Sequence, residues 1–270
     1  LQDNIERNPV SLDPSLNSEL LAAFPDKMVK GHEQAITTHR LRREIIATKL
    51  SNRIINRMGV LNPFELAEEE GCTLADIASA FVVAERVYDL PTLWEEIDAK
   101  EMDERARLML IGQLAVELRA QMADILRNSK QGRTIDQAVA VYAPIVKILS
   151  DERNMLLPPI IRDQTEAFGA RMVGEGAPKK LADHLVRIAQ MDGAIGLAAL
   201  ATDQKIDVRS LTRAFTELGS RLGISWAQGA AMQMDPQDPW ERLLIAGVAR
   251  DFQAMRLDFL RRHNSKDPVK

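Results

Sequence analysis

A single cysteine, Cys72, in 270 residues rules out an internal disulfide and is the usage expected of a reducing compartment, so a cytoplasmic location is expected. No apolar run in the sequence approaches the roughly 20 residues of a transmembrane helix, and the N-terminus lacks the basic-then-apolar pattern of a signal segment. No membrane contact is therefore expected. Aromatic residues are scarce, at 4 %, while alanine, leucine and methionine are plentiful, which favours helix packing over a β-sandwich. There is no positive excess: the formal net charge is −4, which argues against a nucleic-acid partner. The chain begins with Leu1 in place of methionine, as a fragment of a longer protein would, although tag removal or proteolysis gives the same start.

Several chemical signatures are also missing. His32-Glu33 opens the pattern of a zinc-binding helix, but Ile36 stands where the second histidine ligand belongs. Gly174-Glu175-Gly176 has no preceding strand pattern and no third glycine, so it does not form a dinucleotide loop. No phosphate loop and no nucleophile elbow is present. Cys72 follows Gly71 at an expected helix start, where the dipole lowers a thiol pKa; a structural cysteine is the preferred reading. Thr73 to Ala80 looks like the first helix of a helix-turn-helix, but the next helix carries Glu95, Glu96 and Asp98, which repel phosphate. No catalytic, cofactor-binding or metal-ligating residue is assigned.

What is present is helical periodicity. The stretch His39 to Gly59 contains no proline and no cluster of turn formers. At roughly 100° per residue, Leu41, Ile45, Thr48, Asn52 and Ile55 form one stripe, and Ile46, Leu50, Ile54 and Met58 form another almost opposite. Two apolar stripes predict a central helix sandwiched by neighbours. Thr48 and Asn52 are then expected to be buried and hydrogen-bonded, because an unpaired buried amide costs roughly 1–3 kcal/mol. Gly59 is placed to end the helix in a left-handed C-cap.

The same periodicity elsewhere, with no persistent strand alternation, predicts an all-α multi-helix bundle. The expected organisation is a lead-in with short helices over 1–31 and a helical unit around the central helix over 32–168. A connector over 169–177, a second helical unit over 178–262 and a loose tail over 263–270 follow. A faint repetition relates the two units: Ala80-Phe81 with Trp94 in the first, Ala214-Phe215 with Trp226 in the second. If it is a duplication, each tryptophan packs near its phenylalanine. Gly193 and Gly196, inside an expected helix, predict a close approach by another helix.

The strongest charge feature is the basic edge of the central helix: Arg40, Arg42, Arg43, Lys49, Arg53 and Arg57. Most such runs are solvated faces or meet local carboxylates. The alternative is a partner surface formed by Arg42, Arg43, Lys49, Arg53 and Arg57.

The residues His39-x-Leu41-Arg42-Arg43-Glu44-Ile45-Ile46-Ala47-Thr48, then Asn52 and Ile55-Asn56-Arg57-x-Gly59, carry a resemblance. Together with Ala75 to Ala78, Ala80-Phe81, Leu93-Trp94 and Leu222-Gly223-Ile224-x-Trp226, they resemble the C-terminal region of the large bacterial NAD-specific glutamate dehydrogenases. The pattern departs at Met58, where glycine is usual, and is loose over 130–173. The resemblance implies a helical region that follows the catalytic part of a parent enzyme. That parent converts glutamate, NAD and water to 2-oxoglutarate, ammonia and NADH. The catalytic lysine and aspartate and the NAD fold lie upstream in the family, so no cofactor is expected in this chain. The implied partner is the upstream catalytic region of the same polypeptide, in a homo-oligomeric parent. The other reading, from the residues alone, is a free-standing helical protein-interaction module.

Overall fold

The computed structural model describes residues 1–130, 132–152, 156–157, 159–232, 234 and 239–263. Among them are fifteen α-helices, two short 3-10 turns and no strand. The N-terminal helices are α1 (Gln2–Arg7), α2 (Asn17–Leu21), α3 (Asp26–Thr37), α4 (Arg42–Met58) and α5 (Asn62–Glu70). Next come α6 (Leu74–Val87), α7 (Leu90–Ala99), α8 (Glu104–Asn128), α9 (Ile135–Asp151) and α10 (Pro159–Gly174). The last five are α11 (Lys179–Ala189), α12 (Ala194–Gln204), α13 (Val208–Arg221), α14 (Ile224–Met232) and α15 (Pro239–His263). No single described helix is long and apolar enough to cross a membrane.

The chain divides into two compact units: Leu1–Trp94 with Ile111–Ala140, and Glu95–Leu110 with Val141–Lys270. Residues 169–174, expected to belong to a connector, are the last turns of α10. Of the expected loose tail, only His263 lies within the described residues, as the end of α15.

In the first unit α4 packs against α1, α2, α5 and α6. Gly59 stops α4 at φ 83°, ψ 170°, not the left-handed helical cap expected but an extended positive-φ conformation that glycine adopts without a Cβ penalty. Thr73 and Asp76 form a reciprocal capping box that starts α6, whose Phe81 is fully buried. Only one of the two stripes of α4 is buried: Ile46, Leu50, Ile54 and Met58, with Ala47 and Ser51.

The expectation for Thr48 and Asn52 is corrected, since both are exposed. The Thr48 hydroxyl donates to the Glu44 carbonyl at 2.7 Å and accepts from Gln2 Nε2 of α1 at 3.0 Å. The buried polar residue of α4 is Ser51, next to Ile54 on the covered side.

In the second unit α13 packs against α12, α14 and α15. Gly193, at φ 81°, is the break between α11 and α12 and is not inside a helix. Gly196 is the close approach: a Cβ there would lie 2.1 Å from Leu257 Cδ1 of α15. The expected equivalence of the tryptophans does not hold. Trp94 is 5 % exposed and stacks on Phe81 with centroids 6.0 Å apart, whereas Trp226 is 74 % exposed. The face of the buried Phe215 ring is taken by the Arg256 guanidinium, 4.0 Å from the centroid.

Candidate functional site

The basic edge of α4 separates into side chains with different tasks. Arg42, the first residue of α4, reaches back to the N-terminal segment. It donates to the Ser11 carbonyl at 2.7 Å, the Asp13 carbonyl at 3.2 Å and Asn17 Oδ1 at 3.0 Å. Burial and the neighbouring Arg43 lower its pKa, and Asp13 partly offsets them. Lys49 is exposed, with Nζ 3.4 Å from the Ala22 carbonyl. Arg43 is half-buried, and its Nε has no partner. Arg57 lies over the Trp94 ring, 4.8 Å from its centroid.

Arg53 is the centre of the arrangement. It donates to Glu19 of α2 and, at 2.9 Å, to Glu85 of α6, and it sits 5.8 Å from the Phe81 centroid. Periodicity puts Arg53 beside Asn56 on a polar edge, but nothing local in the sequence points to carboxylates 34 and 32 residues away. Only the packing of α2 and α6 on α4 brings them in. Glu85 is buried, and its Oε1 has no partner.

One cation between two carboxylates shifts the partners unequally. Burial works against the Arg53 charge, yet Glu85 and Glu19 together hold its pKa above the ordinary value. For Glu85 burial is the largest influence and Glu19 adds to it, so despite Arg53 its pKa is pushed up to about 7. A near-neutral carboxyl is often the mark of an acid–base catalyst. Here the carboxyl is buried and bonded to Arg53.

This makes stability pH-dependent with a definite sign. The unfolded chain releases the Glu85 proton near pH 4.5, while the folded chain holds it to about pH 7. Across that window the native state binds more protons, so stability falls as pH rises, by on the order of 3 kcal/mol in total. Unfolding free energies of the wild type and Glu85→Gln, taken from urea titrations from pH 4.5 to 8, should diverge by that amount, the wild type losing stability relative to the variant.

The second unit also has a buried arginine over a phenylalanine. Arg256 donates to Gln228 Oε1 at 3.0 Å, and its Nε has no partner. Burial lowers its pKa to about 10, with Asp192 opposing. Gly219 makes room, since a Cβ there would lie 2.5 Å from Arg256 Nη1. A cleft of about 740 Å³ runs between α10 and α11, where Gly169 lets Val186 approach. Its charged lining is solvated, with Lys179 paired to Asp183 at 2.6 Å. Gln190 also lines it, but that side chain is fully buried and donates to Thr165 Oγ1 at 2.9 Å.

Cys72 has its thiol pKa raised to about 11, by burial first and then by Asp76 and Glu70, which agrees with a structural cysteine.

Comparison with known proteins adds what the geometry leaves open. The profile of the family described as "Glutamate dehydrogenase, C-terminal" matches residues 1–262. The chain is 26 % identical over 243 residues to an NAD-specific glutamate dehydrogenase of Halomonas elongata, covering 89 % of this chain and 15 % of that protein. It is 24 % identical over 245 residues to the Pseudomonas aeruginosa enzyme of the same name, covering 90 % and 15 %. For the NAD-specific glutamate dehydrogenase of Mycobacterium tuberculosis the identity is 23 % over 239 residues, covering 87 % and 14 %. The chain thus spans about 15 % of the length of these relatives.

Proposed function

The chain belongs to the glutamate dehydrogenase C-terminal family, and from that premise we propose that it is a non-catalytic, structural or regulatory region of an NAD-dependent glutamate dehydrogenase. The observation that carries this reading is the family match over residues 1–262. The parent, in this proposal, oxidatively deaminates glutamate with NAD in the cytoplasm as a homo-oligomer. Its catalytic lysine and aspartate and its nucleotide fold lie outside this chain.

The internal chemistry supports a scaffold. Hydride transfer needs a nicotinamide held beside the substrate, and proteins usually hold its pyrophosphate on a glycine-rich strand-to-helix turn. The described residues include no strand from which such a turn could be built. Two of the groups with shifted pKa values, Glu85 and Arg256, are buried and bonded within their own unit.

The region's partner is the catalytic part of the same polypeptide, met in this proposal by the basic edge of α4. Arg42 and Arg53 are held by groups of the chain itself. The charge offered to a partner is therefore chiefly that of Lys49 and Arg43, flanked by the exposed Asn52 and Asn56. Association with the catalytic part is expected to weaken with salt.

Purified residues 1–270, assayed with glutamate and NAD, should produce no NADH above a blank. Production that copurifies with the chain and is absent from a mock preparation would overturn the non-catalytic reading.

A further inference from the structure

The outer side of α15 is apolar and complementary to itself. The helix buries Gln253, Arg256, Leu257 and Leu260 and leaves Leu244 68 %, Val248 40 %, Met255 57 % and Phe259 43 % exposed. At roughly 100° per residue these four fall within about 60° of arc. They extend along roughly 22 Å of helix. An exposed apolar stripe of that length marks an interface.

The order of residues along the stripe selects the occupant. Reversing a second copy end for end, about a two-fold axis between Asp251 and Phe252, sets Leu244 opposite the partner's Phe259. The same operation sets Val248 opposite the partner's Met255 and exposed Glu241 opposite the partner's Arg262, at both ends. Asp251 falls outside the arc, on the rim. A parallel pair would instead face Glu241 with the partner's Glu241 and Arg262 with the partner's Arg262. Arg262 already meets Asp258 one turn away at 2.6 Å, with 75 % of its side chain exposed. Such a rim charge contributes to register more than to affinity.

We propose that α15 is a self-association surface, on which two copies of this chain pair α15 against α15, antiparallel, about an axis between Asp251 and Phe252. The contact is isologous and closed, so it ends at a dimer. It goes beyond the dehydrogenase reading and stands apart from it, because its test needs neither substrate nor cofactor.

Sedimentation velocity on the 270-residue chain across the micromolar range should show a monomer–dimer equilibrium. Met255→Glu and Val248→Asp, both at exposed positions, should keep the helical circular dichroism and weaken association by about 30-fold or more. Geometry is read by disulfide trapping in a Cys72→Ser background. Asp251→Cys, near the axis, should cross-link to itself. Glu241→Cys should not, yet it should cross-link when mixed with Arg262→Cys. A monomer at every concentration overturns the proposal, as does dimerisation unchanged in the two stripe variants. Self-cross-linking of Glu241→Cys would overturn the antiparallel arrangement.

Discussion

Replacing Arg53 by methionine should destabilise the chain by about 3–5 kcal/mol at pH 8, the cost expected when one partner of a buried ion pair is removed and the other stays. Glu85 would then lie in the core with no cation, and Glu19 would lose the group that holds it against α4. Methionine keeps most of the length and the apolar contact with Phe81, so the loss is electrostatic more than steric. Two further measurements separate these causes. The deficit should shrink toward pH 5, where Glu85 is already protonated in the wild type because its pKa is about 7. Adding Glu85→Gln to Arg53→Met should recover a large part of the loss, the two sites being coupled. A double variant no more stable than Arg53→Met alone would mean that the arginine acts through packing.

Phe81→Ala should cost a comparable ~3–5 kcal/mol, the usual range for emptying a buried phenylalanine site. The ring is fully buried, with Trp94 stacked on one side and the Arg53 guanidinium 5.8 Å from its centroid. Its removal therefore opens a cavity where α4, α6 and the start of α7 meet. Neither neighbour can fill that space freely, since Arg53 is tied to two carboxylates and Arg57 lies over Trp94. Thermal unfolding should move down by on the order of 10 °C. Acrylamide should quench Trp94 more readily, while quenching of Trp226, already 74 % exposed, should change little. A shift of only a degree or two would show that the site collapses around the smaller side chain.

The helices themselves were legible from residue order. Spacing of apolar residues and the glycine that ends α4 concern groups within a turn or two of one another, and both are found in the structure. Gly196 was legible as a close approach for the same reason: a glycine in a helix signals that something needs the room, although the sequence could not name Leu257. The family resemblance rested on the α4 stretch and a few short blocks, and the match over residues 1–262 agrees with it.

What only the tertiary structure decided is which side of each helix is covered, and by what. Both stripes on α4 carry apolar residues, yet its neighbours cover Ile46, Leu50 and Ile54 and leave Thr48 and Asn52 in water. The same limit produced the false equivalence of the tryptophans. Phe81 and Phe215 are both buried, but the ring neighbour is Trp94 in one unit and Arg256, 41 residues beyond Phe215, in the other. Local spacing left Arg53 as either partner-facing charge or the mate of nearby carboxylates, and α2 and α6 decided it by bringing Glu19 and Glu85 against it. Helical periodicity is a local property, because the hydrogen bonds that create it join residues four apart. Burial and pKa depend on groups that are distant in sequence and meet only when the helices pack.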